Sequence, residues 1–329
     1  MSFVEGNEAL IRVEEIYKHF SASEGFFFKD EKKVKAVDGV SFDVKKGEAL
    51  GIVGESGCGK STLGRVLLRL LEADGGKVIF KGEDMLSLSD SEMRKRRKDM
   101  QIVFQDPFAS LNPRMKVGEL IAEPLKIHGV KDANEVNRRV LEITKLVGLN
   151  DYHLKKYPHE FSGGQRQRIC IARALILRPE FVICDEAVSA LDVSIQSQII
   201  NLLKDLKDEL GLTYMFISHD LSVVRHISDR VGVMYLGKMV ELAPAESLFE
   251  NPRHPYTKAL ISAIPVPDPD VKKDRIILKG DVPNPMDIPK GCSFHTRCHY
   301  ANDICKREEP GLEEGAGGHF TACHFSGNF

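Results

Sequence analysis

The nine residues from Gly54 to Thr62 read Gly-Glu-Ser-Gly-Cys-Gly-Lys-Ser-Thr, and they leave few folds open. Ala49 to Val53, just before them, is a continuous apolar run of the kind that makes a buried parallel strand, and helical sequence opens at their end. Strand, glycine-rich turn and helix start together make a phosphate-binding loop. Gly54, Gly57 and Gly59 let backbone amides close round phosphate oxygens, and Glu55, Ser56, Cys58 and Thr62 complete the nucleotide-binding run. Lys60 is placed to reach the β and γ oxygens, and the Ser61 hydroxyl to hold Mg²⁺. A glycine turn that merely closed a helix onto a sheet would give no reason for Lys-Ser at the helix start. ATP and Mg²⁺ are therefore the expected ligands.

The rest of the chain supplies an α/β frame for that loop. Ile102 to Phe104, Phe181 to Cys184 and Thr213 to Ile217 are further buried-strand runs. Ser194 to Leu210 puts Ile195, Ile199, Leu202, Leu203, Leu206 and Leu210 on one helical face, and Gly211 ends it. Ile11 to Tyr17, Val40 to Val44 and Val78 to Phe80 predict a small antiparallel layer, with an exposed insertion over Ser21 to Lys33. From about 89 to 160 helical sequence dominates, including Glu119 to His128 and Ala133 to Val147, so an inserted α-helical subdomain is expected. Arg94 to Lys98 within it reads as a solvated basic helix face.

At 329 residues, 42% hydrophobic and 29% charged with a net charge of -2, one large nucleotide-binding domain with a smaller appendage is expected, and nucleic acid is not favoured as a partner. No run approaches the roughly 20 apolar residues that span a bilayer, and Met1 to Ile11 lacks the pattern of a signal peptide. Membrane contact is expected to come through a partner.

Two further motifs carry chemistry. Phe181-Val-Ile-Cys-Asp185-Glu186 is an apolar strand ending in two carboxylates. Asp185 is placed to hold Mg²⁺ through water, and Glu186 to orient and deprotonate the attacking water. Phe161-Ser-Gly-Gly-Gln165 opens a helix whose positive end, with Ser162 and the glycine amides, suits an anion. A serine-capped flexible turn explains the same pentad, and a second phosphate site in one chain looks redundant.

The redundancy resolves on a resemblance. These motifs, in this order, resemble the ATP-binding subunits of ABC transporters, whose signature is Leu-Ser-Gly-Gly-Gln and whose two nucleotide domains dimerise head to tail. The resemblance implies that Ser162, Gly163, Gly164 and Gln165 serve the ATP held by the partner subunit. Phe161 replaces the usual leucine, and its side chain is expected to pack rather than touch phosphate. By the same resemblance Gln105 is the glutamine that touches Mg²⁺ and the attacking water, Asp192 in Ser189-Ala-Leu-Asp192 is the D-loop aspartate, and His219 contacts the γ-phosphate. Phe20 resembles the aromatic that stacks on adenine, with Tyr17 and Phe26 as competitors. Ala187 stands where proline is common. The fold implied is a RecA-like P-loop NTPase core with an antiparallel β subdomain, an inserted helical subdomain and a small C-terminal cysteine-rich module.

After Pro252 the composition shifts to recurrent prolines. Asn251-Pro-Arg-His-Pro-Tyr-Thr257, followed by Ala259-Leu260 and Ile264-Pro265, resembles the C-terminal signature of oligopeptide and dipeptide transporter ATPases. The resemblance places a nucleotide-binding domain at 1–255 and this C-terminal domain at 256–329. The phosphate-loop wording is closer to the F-type subunit than to the D-type, implying a heterodimer with a D-type ATPase. Two membrane permeases and, indirectly, an extracytoplasmic peptide-binding protein are the other implied partners, with the chain peripheral to the cytoplasmic face of the plasma membrane. Nickel, oligosaccharide or another cargo, or a soluble non-transport ABC ATPase, are the rival readings.

Cys292, Cys298, Cys305 and Cys323 crowd this tail, which looks too poor in apolar mass to build its own core. Four thiolates on a metal would stabilise it. Their spacings fit neither the usual zinc pattern nor the ferredoxin ones, so spacing does not choose the metal. The family resemblance implies a [4Fe-4S] cluster, with Zn²⁺ second. His295, His299, His319 and His324 are expected outside the ligand set or at the surface. Cys58, Cys170 and Cys184 read as packing residues.

Overall fold

A computed structural model of the chain describes residues 9–21, 33–265 and 274–327. Most of the insertion expected over 21–33, including Phe26, lies outside them. In chain order the elements are β1 (Ala9–Ser21), β2 (Lys33–Lys45), β3 (Ala49–Val53), α1 (Lys60–Leu67), β4 (Gly75–Phe80), β5 (Glu83–Asp84), α2 (Asp90–Arg96), β6 (Met100–Val103), α3 (Val117–Ile127), α4 (Ala133–Leu146), α5 (Gly163–Leu175), β7 (Phe181–Asp185), α6 (Val193–Leu210), β8 (Thr213–Ile217), α7 (Leu221–Ile227), β9 (Arg230–Tyr235), β10 (Lys238–Pro244), α8 (Ala245–Glu250), α9 (Pro255–Ser262), α10 (Asp303–Arg307), β11 (Glu313–Gly315) and β12 (His319–Thr321).

Two units divide the chain: one comprises residues up to Lys45, Leu50–Leu86 and His219 onward, the other Lys46–Ala49 and Ser87–Ser218. In the first, β2, β1, β4 and β5 form the antiparallel layer in that order. Its strands run well past the predicted limits: on β2 Val40, Phe42 and Val44 alternate as buried positions, and Val37 extends the buried face beyond a register shift opposite Ile16 and Tyr17. Beside it, β3 pairs in parallel with β9, which continues antiparallel through β10 and β12 to β11. All five residues of β3 are buried, as a strand covered on both faces requires.

The β9–β10 hairpin is absent from the sequence reading. Its turn is Leu236-Gly237 with φ of 45° and 81°, a two-residue connection of the left-handed type that matches strand twist. Leucine there hides the usual Asn-Gly signal.

The C-terminal tail packs onto the core of the first unit. Phe294 is fully buried against Tyr235 and Tyr256, with ring centroids 5.3 and 5.4 Å away, and those two tyrosines are themselves fully buried. The tail adds Phe294 to a core that already exists. His319, expected outside the ligand set or at the surface, is buried too, and its Nε2 lies 2.6 Å from the Glu241 carboxylate. That carboxylate accepts the backbone N–H groups of Arg253 (2.6 Å) and His254 (3.1 Å), so the Asn-Pro-Arg-His-Pro-Tyr-Thr run is an anchoring device.

His254 caps α9 by accepting the Tyr256 N–H at Nδ1, 3.1 Å away. Burial drives its pKa down to about 4, against the opposing field of Glu241. The folded protein therefore keeps it neutral, whereas the unfolded chain protonates it below about 6.5. Between those values the unfolded state binds the extra proton, so stability falls as pH drops from 6.5 towards 4. Urea midpoints measured across that window should decline, and His254→Asn, which retains a capping acceptor, should flatten the decline by about one proton.

In the second unit β8, β7 and β6 pair in parallel. Every residue of β7 and β8 is buried. Helix α6 buries Ile199, Leu202, Leu203 and Leu206 and stops at Gly211, φ 64°, as its periodicity predicts. Helices α3 to α5 supply the helical region, and the basic residues of α2 are largely solvated.

Candidate nucleotide site

In the first unit, the turn from β3 to α1 is a glycine cradle. Gly54, Gly57 and Gly59 have φ of 150°, 80° and 103°, conformations that L residues rarely adopt. A Cβ on Gly59 would collide with the Ala36 carbonyl, and one on Gly54 with the Met234 carbonyl, whereas one on Gly57 meets nothing within 4 Å. Two glycines thus fit the loop to its surroundings, and the third faces open space where an anion can approach. Lys60 is buried, with Nζ donating to the carbonyls of Gly54 (2.8 Å) and Glu55 (2.9 Å). Ser61 and Thr62 follow in the first turn of α1. Ser56 is exposed, while Cys58 is buried, and burial raises its thiol pKa. We expect Gly59→Ala to weaken nucleotide binding by about tenfold and to cost about 2 kcal/mol of stability, read by calorimetric titration and denaturant unfolding.

Glu55 is held at every polar group. Its N–H donates to the Tyr256 hydroxyl at 2.8 Å, its carbonyl accepts from Lys60, and its carboxylate receives both terminal nitrogens of Arg297, at 2.7 and 3.1 Å. Arg297 is buried, and the Glu55 carboxylate raises its already high pKa, so it stays charged. The sequence reading gives neither Arg297 nor Tyr256 a place at the phosphate loop: Tyr256 enters it only within the C-terminal signature, and Arg297 not at all. An arginine beside a cysteine and a tyrosine in a proline-rich tail carry no local signal of a phosphate loop some 200 residues earlier.

In the second unit, β7 delivers Asp185, buried, and Glu186 immediately after it. Glu186 has φ 49°, a strained value for a non-glycine residue, and its N–H is fixed to the Ile217 carbonyl at 3.0 Å. Its carboxylate accepts from Gln105 Nε2 at 2.7 Å, and the same nitrogen lies 3.4 Å from Ser189 Oγ. Gln105 and Glu186, 81 residues apart in the chain, are therefore brought together. The buried Asp185 carboxylate at the strand tip is a hard oxygen donor of the kind that Mg²⁺ takes.

Ser162 caps α5. Its Oγ accepts the Gln165 N–H (3.3 Å) and Gln165 Oε1 accepts the Ser162 N–H (3.1 Å), a reciprocal capping box. The first turn of this 13-residue helix carries no acidic residue, so Gly163 and Gly164 lie at an uncompensated positive end. Side chains would be excluded at Gly164, where a Cβ would strike Ile195. Phe161 is buried against His153, ring centroids 5.3 Å apart, and so packs as expected.

The remaining candidates fall at element ends. Asp192 caps α6 through the Ile195 N–H at 3.1 Å, which helps hold its pKa down. His219 is exposed and follows β8 in the chain. Phe20, 39% exposed, sits near the end of β1 with Lys18 Nζ 5.5 Å from its ring centroid, whereas the Tyr17 hydroxyl is turned in against Gly39. Of the two rings, Phe20 is the more exposed.

Cys292, Cys298, Cys305 and Cys323 all line one cavity of about 20 Å³. Backbone N–H groups two residues on approach three of the sulfurs: Phe294 at Cys292, Tyr300 at Cys298 (3.4 Å) and Phe325 at Cys323. Burial drives the Cys292 thiol up to about 11. As placed, however, the described residues include no group of three or more His, Cys, Asp or Glu side chains arranged to hold a metal ion. His295 bonds the Cys292 carbonyl at 2.8 Å, His324 bonds the Glu308 carbonyl at 3.0 Å, and His299 is exposed. Cys170 and Cys184 are buried packing residues, with thiols driven up by burial to about 11 and about 12. No described helix is long and apolar enough to cross a membrane.

Comparison with known proteins agrees with this architecture. Residues 37–189 match the ABC transporter family and residues 240–305 the C-terminal region of oligopeptide/dipeptide transporters. The chain is 56% identical to the oligopeptide transport ATP-binding protein AppF of Bacillus subtilis, over 96% of this chain and 97% of that protein. It is 51% identical to the oligopeptide transport ATP-binding protein OppF of Salmonella typhimurium, over 97% of each. Among solved structures, the dimeric ATP-binding cassette MJ0796 bound to ADP and Pi superposes with TM-score 0.63 at 29% identity, covering 71% of this chain and 98% of that one. CbiO1 of Clostridium perfringens, part of the cbiONQ ABC transporter complex, gives TM-score 0.64 at 28% identity, covering 74% and 91%.

Proposed function

The chain belongs to the ATP-binding proteins of the oligopeptide and dipeptide ABC transporters, and from that premise we propose that it hydrolyses ATP to drive peptide import through two membrane permeases. The observation that carries the catalytic part is the Gln105–Glu186 contact at 2.7 Å, with Glu186 held at positive φ beside the buried Asp185. Peptide as cargo rests on the relatives' 51 to 56% identity.

In-line attack of water on a γ-phosphate asks for positioning and charge neutralisation rather than covalent chemistry. In this reading Glu186 takes the water's proton, Gln105 orients carboxylate and water, and His219 contacts the γ-phosphate. Lys60 exchanges its loop carbonyls for β and γ oxygens. Ser61, Asp185 and Gln105 would hold Mg²⁺, which would supply charge neutralisation at the phosphates. Phe20 stacks on adenine. Ser162 and the amides of Gly163 to Gln165 meet the ATP of a second ATPase subunit, and Asp192 lies on that dimer face. A D-type partner, an extracytoplasmic peptide-binding protein that acts indirectly, and a peripheral place on the cytoplasmic side of the plasma membrane complete the proposal. Residues 1–255 perform this work, with 256–329 as the C-terminal domain.

For the tail we propose a [4Fe-4S] cluster, with Zn²⁺ second, supported by the four cysteines that share one cavity and the backbone N–H groups turned to three of them. The visible spectrum and iron-to-sulfide ratio of anaerobically purified protein test it. A colourless preparation without iron or zinc counts against both metals. The transport reading is tested by purifying the chain from membranes with its permeases. Co-purification with permeases and ATP hydrolysis stimulated by them are expected, and association with nucleic acid alone would sink it.

A further inference from the structure

The cysteine-bearing loop and the phosphate loop meet through one ion pair. Arg297, the residue before Cys298, is 8% exposed and gives both terminal nitrogens to the Glu55 carboxylate, 242 positions earlier in the chain. Phe294, three residues before it, is packed under Tyr235 and Tyr256, and the Tyr256 hydroxyl takes the Glu55 N–H. Glu55 is therefore clamped from the tail on two sides, while its carbonyl and that of Gly54 are the resting place of Lys60.

We propose that Arg297 is a positioning residue of the nucleotide site. By clamping Glu55 it fixes the two carbonyls on which Lys60 rests, and so sets how readily the phosphate loop receives nucleotide. The inference builds on the ATPase reading above. Three considerations separate it from a clasp that merely fastens the tail. A fork-to-fork guanidinium–carboxylate contact fixes orientation as well as distance, which a lysine does not reproduce. Glu55 is the second residue of the cradle, where a displacement of about 1 Å in a positioning group costs on the order of a hundredfold in rate. The tail has separate anchors, the Phe294 aromatic contacts and the Glu241–His319 pair, that do not need Glu55.

The test is calorimetric titration of MgATP into full-length protein in the Glu186→Gln background, which removes turnover. Arg297→Ala, Arg297→Lys, Glu55→Gln and the Glu55→Gln/Arg297→Ala double variant are compared, with the thermal midpoint of each recorded without nucleotide. Arg297→Ala should weaken MgATP about tenfold. Arg297→Lys should fall between it and the parent, and the double variant should be no weaker than the weaker single, as coupled partners require. Affinity within twofold of the parent in Arg297→Ala, whatever its midpoint, overturns the proposal. So does full additivity in the double variant. Should Arg297→Ala fail to fold, Glu55→Gln and Arg297→Lys decide alone: unchanged affinity in both overturns it. Absence of binding by the parent would fail the ATPase reading itself and this inference with it.

Discussion

Glu186→Gln should leave a folded protein that binds MgATP within a few-fold of the parent yet hydrolyses it about a hundred- to ten-thousandfold more slowly, the range that loss of a positioned general base produces. The substitution is nearly isosteric. The glutamine carbonyl can still accept the Gln105 amide now bonded to the carboxylate at 2.7 Å, and the backbone bond from residue 186 to Ile217 is untouched. What disappears is the capacity to take a proton from water. The split between retained affinity and lost turnover separates a base from a binding residue, because removal of a purely binding contact would act on affinity instead. Single-turnover hydrolysis measured with the permease partners present decides the matter. A rate within tenfold of the parent would mean that the proton leaves by another route and that the strained backbone at Glu186, φ 49°, serves something else.

Much of this centre is legible in the sequence because its signals are local. A buried strand, three glycines, a lysine and a helix start are contiguous from Ala49 to Thr62, and the structure gives those residues the backbone conformations that only glycine supplies freely. Ser162 and Gln165 are likewise three residues apart, the spacing of a capping box, and Ile199 to Leu210 carries its own helical period. Contacts formed over long separations with no pattern of their own stay invisible. Arg297 and Tyr256 meet Glu55 across more than 200 residues. Leu236-Gly237 turns a hairpin without the Asn or Asp that advertises one. Glu241 sits mid-strand on β10, where a carboxylate ordinarily argues for a solvated face, and its buried partner His319 lies 78 residues on. The tail packs onto a core that it does not build by itself: Phe294 borrows its neighbours from β9 and α9, and composition cannot show a loan of that kind.

The buried Glu241–His319 pair has a large consequence for stability. Glu241 and His319 side chains are both 0% exposed, with Nε2 2.6 Å from Oε1, while the same carboxylate takes the Arg253 and His254 amides and His319 Nδ1 lies 3.1 Å from Ser247 Oγ. Glu241→Ala removes the acceptor for three N–H groups at once and leaves the imidazole without its partner in a dry site. Breaking a buried pair by deleting one member costs about 3 to 5 kcal/mol, far above the ordinary surface substitution. Chemical denaturation should register that loss as a lower midpoint. Because the freed elements are β12 and the start of α9, limited proteolysis should cut first near Arg253 and His319. Deleting both partners as Glu241→Leu/His319→Leu should recover part of the loss, since two apolar groups leave no orphaned charge. A Glu241→Ala variant within 1 kcal/mol of the parent would show instead that water enters the site and solvates what the pair now satisfies. The Asn-Pro-Arg-His-Pro-Tyr-Thr run would then need a reason other than anchorage for turning two successive amides towards one carboxylate.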